Sequence, residues 1–212
     1  MIKKFALTTY LMFTVIFLLP ASATWAATDS DRDGLSDEIE AQLGTDPSNP
    51  DTDGDKYPDG IEIKNGFSPF EGNRSRDIKR TTEVNLSAQK FYYSVNGVRI
   101  GEMLTSTGRP GVNTPVGEYK ILKKIPVKTY YTITGGSYPN TKWNMLFEAK
   151  RGLYLHGAYW HNDFGIRPRS GGCVNLKTAD AAVMYKFLDV GDKIKVYGKT
   201  PTKPIKLAKV KK

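Results

Sequence analysis

HGAYWHNDFGIRPRSGGCVNL, residues 156–176, holds the only cysteine of the chain, Cys173, and both of its histidines, His156 and His161. A thiol attacks as its thiolate, and a nearby imidazole can take the proton. Gly171 and Gly172, just before the cysteine, let backbone approach a substrate closely. Their N–H groups, with that of Cys173, suit a developing oxyanion. Nucleophile, base and oxyanion donors are the parts of an acyl-transfer site. The same residues also fit a glycine-rich turn with a buried, inert cysteine and surface histidines. The flanking sequence has to separate the two.

Working outward, Leu153-Tyr154-Leu155 reads as a short apolar strand leading into His156. Downstream, Thr178 as a cap, Asp180 in the first turn, and Ala181, Ala182, Met184, Tyr185 and Leu188 at helical spacing predict one helix, with Gly191 beyond its end. Lys193 to Tyr197 reads as a final strand. Upstream, Phe91 to Val95 and Val98 to Leu104 flank Asn96-Gly97, a pair that accepts the positive φ angles of a type I′ turn, and predict a hairpin. A loop rich in Gly, Pro and Thr spans Ser106 to Pro115. Tyr119 to Ile125 reads as a strand, and residues 126–150 as an aromatic, glycine-bearing flap. Several strands with one late helix imply a mainly β domain over residues 81–198. Residues 199–212, KTPTKPIKLAKVKK, carry six lysines and no acid and read as a basic flexible tail.

The N-terminal third of the chain has another character. Residues 29–47, DSDRDGLSDEIEAQLGTDP, and 51–69, DTDGDKYPDGIEIKNGFSP, are an internal repeat offset by 22 residues. Alternating oxygen ligands with a backbone carbonyl at the seventh position can surround a large, hard cation such as Ca2+. The first loop offers Asp29, Asp31, Asp33, the Leu35 carbonyl, Asp37 and Glu40, with Gly34 at the sharp turn. The second offers Asp51, Asp53, Asp55, the Tyr57 carbonyl, Asp59 and Glu62. It has Lys56 where the turn glycine belongs, which is expected to weaken it. Without a cation the carboxylates repel, and the segment reads as an acidic spacer. Residues 70–80, FEGNRSRDIKR, read as a polar linker.

Charge follows this division. Asp29 to Glu62 holds twelve acidic and two basic residues, whereas Ile63 to Lys212 holds 27 basic and 10 acidic ones. The first 26 residues have Lys3 and Lys4, an apolar run from Phe5 to Leu19, and small residues after Pro20, the layout of a secretory signal peptide. Cleavage there would leave no stable membrane anchor. A single cysteine excludes an intramolecular disulfide framework. An exported protein makes nucleic acid an improbable partner for the basic region, and anionic wall polymers or lipids suit it better.

The DxDxDG loops, with the Gly-Thr-Asp-Pro step of the first, resemble thrombospondin type 3 repeats, which implies structural Ca2+. The larger region resembles the L,D-transpeptidase (YkuD-type) catalytic domain. The residues that carry this are His156-Gly157, the loop after it, and Ser170-Gly171-Gly172-Cys173-Val174-Asn175. They are joined upstream by Ser106-Thr107-Gly108-Arg109-Pro110-Gly111 and Thr114-Pro115-Val116-Gly117-Glu118-Tyr119. The resemblance runs from about Thr82 to Tyr197. It implies a β-sandwich with one late helix, preceded by the small calcium-loop module.

By position it implies Cys173 as nucleophile, His156 as proton acceptor, and the Gly157 carbonyl as the group orienting the imidazole. Ser170, Gly171, Gly172 and Asn175 are implied substrate or oxyanion positions. Gly171 departs from the pattern, because the family has a second histidine there. The implied reaction joins peptidoglycan stem peptides by 3→3 cross-links through a thioester, with no catalytic metal. A carboxypeptidase of the same fold, or a non-catalytic calcium-dependent wall-binding protein, would share these residues.

Overall fold

A computed structural model describes residues 27–72, 74–132 and 135–206. The expected signal peptide, 1–26, and the end of the basic tail, 207–212, lie outside the described residues. The main body is one sheet of nine strands, β1 (Arg80–Asn85), β2 (Lys90–Val95), β3 (Val98–Ser106), β4 (Gly117–Lys120), β5 (Lys123–Tyr131), β6 (Ser137–Glu148), β7 (Leu153–Gly157), β8 (Val174–Leu176) and β9 (Lys193–Tyr197). Their order is β4-β9-β1-β2-β3-β8-β7-β6-β5. The pairs β1–β9 and β7–β8 are parallel. Past β4, Leu122 N–H donates to Leu146 O of β6 at 2.7 Å, drawing the two ends of the sheet together.

Local chemistry explains several elements. Asn96 and Gly97 have φ of 50° and 90°, as a type I′ turn requires, and β2 and β3 pair across them. Helix α3 (Thr178–Phe187) buries Ala181, Met184 and Phe187. Thr178 is its first residue rather than its cap: Lys177 stands at the cap and no side chain closes that end. The start of the helix packs closely on β7, where a Cβ on Gly157 would lie 3.0 Å from Thr178 Cα. The region expected as a flap is instead the long β5–β6 hairpin. Its outer strand, β5, is a sheet edge that carries Lys123, Lys124, Pro126 and Lys128.

Each acidic loop leads into a short helix, α1 (Asp37–Leu43) or α2 (Asp59–Asn65), ended by Gly44 or Gly66 in left-handed conformation. Leu35 and Ile63 join the same apolar core as Phe91, Leu155, Phe187 and Leu188. Ile63 is fully buried, a contribution of about 1.5–3 kcal/mol.

The stretch expected as a polar linker is in fact a clasp. Arg76 Nε and Arg80 Nη2 reach Asp189 Oδ2 at 2.6 and 3.1 Å, and Arg80 Nε reaches Asp192 Oδ2 at 2.7 Å. The same arginines donate to the carbonyls of Asn65 and Gly66 at the end of α2. Ile78 is buried beside them. At the other terminus, Lys199 N–H donates to Ser87 Oγ, and Ile205 N–H donates to Ile166 O. No helix among the described residues is long and apolar enough to cross a membrane.

Candidate active site and calcium loops

Strands β7 and β8 pair in parallel with Leu155 opposite Val174 and His156 opposite Asn175. Side chains alternate across a strand, so Leu155 and Val174 enter the core, where both are fully buried. Tyr154, His156, Cys173 and Asn175 therefore share the other face. The Tyr154 N–H points at Cys173 Sγ, 3.4 Å away.

His156 is buried, and its Nδ1 lies 3.0 Å from Gly157 O. A carbonyl only accepts, so the proton sits on Nδ1 and Nε2 keeps its lone pair. The Tyr130 ring packs on the imidazole at 4.8 Å, and its hydroxyl donates to the buried Asn144 Oδ1 at 2.9 Å. Tyr138 stacks on Trp160 at 4.1 Å, stapling the hairpin to the loop that follows His156.

Burial pushes the Cys173 thiol up to about 11, against the smaller pull of the Tyr154 N–H and the Arg151 and Lys128 charges. Burial also pushes His156 down to about 4, despite its bond to Gly157. Thiol and imidazole are thus both neutral near pH 7.

The glycine turn is held from behind. Ser170 Oγ donates to Cys173 O at 2.6 Å and accepts from Gly172 N–H at 3.0 Å. Thr114 Oγ1 donates to Gly172 O at 2.8 Å and accepts from Gly108 N–H at 2.9 Å. Gly108 is required there, because a Cβ would lie 2.4 Å from Thr114 N. The Gln89 side chain pins the same loop through Thr107, accepting its N–H at 2.8 Å and donating to its Oγ1 at 2.7 Å.

These bonds give two of the expected positions a structural part. Ser170 closes the turn through its hydroxyl. The Gly172 N–H is already engaged, which leaves Gly171 and Cys173 as oxyanion candidates. A Cβ on Gly171 would meet open space, so nothing in the fold demands glycine at that position. Asn175 is buried beneath the site, with its amide nitrogen 3.0 Å from His161 Nε2. His161 Nδ1 accepts from Asp163 N–H, so this second imidazole is tied to the scaffold. Tyr130, Asn144, Gln89 and Arg151 carried no recognisable motif, because only tertiary pairing brings them here.

The acidic loops follow matching paths. Arg32 and Gly54 share positive φ at the fourth position, as do Gly34 and Lys56 at the sixth (96° and 78°). Lys56 therefore adopts the glycine conformation, and the expected weakening is confined to its strain, about 1–2 kcal/mol. Asp29, Asp31 and Asp33 converge, as do Asp51, Asp53 and Asp55, and a third group joins Asp33 to Glu40 and Asp59. The repeats are thus fused rather than independent.

Glu40 and Glu62 are essentially fully buried, and Glu40 Oε2, both Glu62 oxygens, Asp29 Oδ1, Asp31 Oδ2 and Asp53 Oδ2 have no hydrogen-bond partner. Crowded, orphaned, all-oxygen donors fit a hard divalent cation such as Ca2+. Asp37 also closes the first loop, by accepting from Ser30 N–H and Oγ–H. Asp59 does the same for Thr52 in the second loop. The peptide N–H groups of Leu35 and Tyr57 donate to Asp33 and Asp55.

The sequence profile of the L,D-transpeptidase catalytic domain matches residues 79–196, more than half of the chain. The chain belongs to that family. The bacterial TSP3 repeat profile matches residues 29–50, the first acidic loop. L,D-transpeptidase 1 of Mycobacterium tuberculosis is 32% identical over 123 residues, covering 54% of this chain and 49% of its own length. Probable L,D-transpeptidase 3 of the same organism is 33% identical over 153 residues, covering 58% and 56%. The chain thus spans about half the length of the curated relatives it matches.

Among solved structures, an L,D-transpeptidase from Mycobacterium smegmatis superposes with a TM-score of 0.54 at 27% identity, covering 57% of this chain and 59% of that one. L,D-transpeptidase 3 from M. tuberculosis, in complex with a faropenem-derived adduct, gives 0.53 at 26%, covering 57% and 61%. The mainly β L,D-transpeptidase fold with its late helix accounts for the arrangement of Cys173, His156 and the glycine turn.

Proposed function

We propose that this protein is an exported L,D-transpeptidase that forms 3→3 cross-links between peptidoglycan stem peptides through a Cys173 thioester. The observation that carries this reading is the shared face of β7 and β8. It sets an imidazole with a free Nε2 lone pair beside a thiol on a braced glycine turn.

His156 Nε2 takes the thiol proton, and the thiolate attacks the amide carbonyl between the third, L-centred stem residue and the terminal D-Ala. The N–H groups of Gly171 and Cys173 stabilise the oxyanion. His156 returns the proton to the departing amine, leaving the thioester. The side-chain amine of a second stem then attacks through the same geometry, and the thiol is restored. Tyr130 and the Gly157 carbonyl hold the imidazole in place throughout. No metal is needed for these steps. Ca2+ in the acidic loops would neutralise the orphaned carboxylates and fix the module against α3. Hydrolysis of the thioester by water would give a carboxypeptidase from the same residues.

The test is incubation of the mature protein with disaccharide-tetrapeptide, followed by mass spectrometry. Cross-linked dimer with loss of D-Ala is expected, and tripeptide alone would assign the hydrolase. Cys173→Ala should lose all turnover while keeping its melting temperature, and with it the adduct that a penem or carbapenem forms on the wild type. Turnover retained by a folded Cys173→Ala would overturn the reading.

A further inference from the structure

The Arg151 side chain stands at the lip of the nucleophile turn and has no part in the steps above. Its Nη1 donates to Asn113 O at 3.0 Å and its Nη2 to Gly171 O at 3.3 Å. It therefore spans the gap between the 106–115 loop and the turn carrying Cys173. The guanidinium covers Gly172 so closely that a Cβ there would lie 2.7 Å from Nη2. Two carbonyls fix the plane of a group that has five N–H donors, so three donors remain. No carboxylate lies within 4.0 Å of this guanidinium among the described residues, although eight other ion pairs are formed. Its charge is felt at Cys173 Sγ. Lys128, the other cation felt there, lies over the rings of Tyr130 and Tyr154 at 5.3 and 5.6 Å. An oriented, uncompensated guanidinium next to a nucleophile is suited to grip a carboxylate through paired N–H donors.

We propose that Arg151 forms a carboxylate-binding subsite beside Cys173, which recognises the free C-terminal carboxylate of the D-amino acid expelled in the first step. This rests on the transpeptidase reading. The chemistry of the substrate fits the location. When Sγ attacks the scissile carbonyl carbon, the terminal carboxyl carbon is only three covalent bonds away, within reach of a cation at the rim of the same turn. Arg151 would then select donor peptides that end one residue beyond the scissile bond, and would ignore longer or C-terminally blocked chains. The acceptor stem brings an amine instead and gains nothing from this subsite, so donor and acceptor are distinguished at one position. The Gly171 carbonyl that orients the guanidinium belongs to the residue where the family carries its second histidine, so Arg151 meets the departure in the motif at that point.

The experiment compares kcat/KM for a disaccharide-tetrapeptide and for its C-terminal amide, in the wild type, Arg151→Gln, Arg151→Lys and Lys128→Gln. Charge-assisted hydrogen bonds predict a wild-type preference for the free acid of roughly 10- to 100-fold. That ratio should fall close to one in Arg151→Gln and recover in part in Arg151→Lys, with the change mainly in KM. A melting temperature and a Cys173 iodoacetamide labelling rate equal to the wild type's establish that each variant retains its folded turn, since unfolding would expose the buried thiol and speed its labelling.

A wild-type ratio near one overturns the subsite. So does a ratio unchanged in Arg151→Gln, which would make Arg151 a structural clip only. Collapse of the ratio in Lys128→Gln alone would move the carboxylate to that residue and equally overturn the assignment. If the wild type cleaves neither substrate, the transpeptidase reading itself fails and the subsite fails with it.

Discussion

The turn at Cys173 and the acidic loops both bury polar atoms, and they treat them in opposite ways. Around the turn, Ser170 Oγ, Thr114 Oγ1 and the Gln89 amide each find protein partners. Around Glu40 and Glu62, six carboxylate oxygens find none. Leaving a buried polar group unpaired costs about 1–3 kcal/mol, more when it is charged. The first region is therefore complete in itself and preorganised, whereas the second presents oxygen donors suited to a positive charge.

The largest effect expected from breaking this comparison lies in the self-sufficient region. His156→Ala should slow acylation of Cys173 by about 10²–10⁴-fold, while His161→Ala, which removes only a scaffold contact, should cost far less. Stopped-flow acylation by a carbapenem measures both, and equal losses would show that the base has been misassigned.

The second effect concerns pH. The thiol is raised to about 11 and the imidazole lowered to about 4. The base is therefore already neutral above about pH 5, and the thiolate fraction grows with each unit of pH. Iodoacetamide labelling should climb about tenfold per unit from pH 7 to 10. A plateau already reached at pH 7 would instead reveal a preformed thiolate–imidazolium pair.

Chelation tests the other region. At a concentration of 100 times its Kd, Ca2+ would stabilise the fold by about 2.7 kcal/mol, with binding expected near 10⁻⁴–10⁻³ M. Calcium should protect residues 29–66 from protease and a chelator should remove that protection, while Cys173 labelling persists in both. Unchanged proteolysis would reduce the module to an acidic spacer.

The smallest effect is at one backbone position. Lys56→Gly should stabilise the calcium-loaded protein by about 1 kcal/mol in urea melts, since Lys56 holds φ 78° at no apparent gain. A loss instead would show that the lysine side chain contributes to the module.

Local chemistry made some of this legible in the sequence. Asn96-Gly97 announced the hairpin, Lys193 to Tyr197 alternated as a strand, and His156 and Cys173 lay within one short segment. Long-range pairing hid the rest. β1 reads RTTEVN, too polar to stand out, and exists because it sits between β2 and β9. The aromatics and glycines of residues 126–150 disguised a hairpin as a flap. Arg76 and Arg80 looked like linker charge until Asp189 and Asp192, more than a hundred residues later, came beside them. Thr114 and Arg151 are similar cases, each acting on a turn from a distant part of the chain.

The outer strand of the long hairpin has a consequence for how the protein meets extended chains. An unpaired strand edge is a template onto which any extended peptide can add. β5 meets that hazard with Pro126, which has no N–H to offer, and with the exposed Lys123 at its start. Strand addition is discouraged there, so the ribbon that carries Tyr130 past His156 keeps its shape however many extended chains drift by.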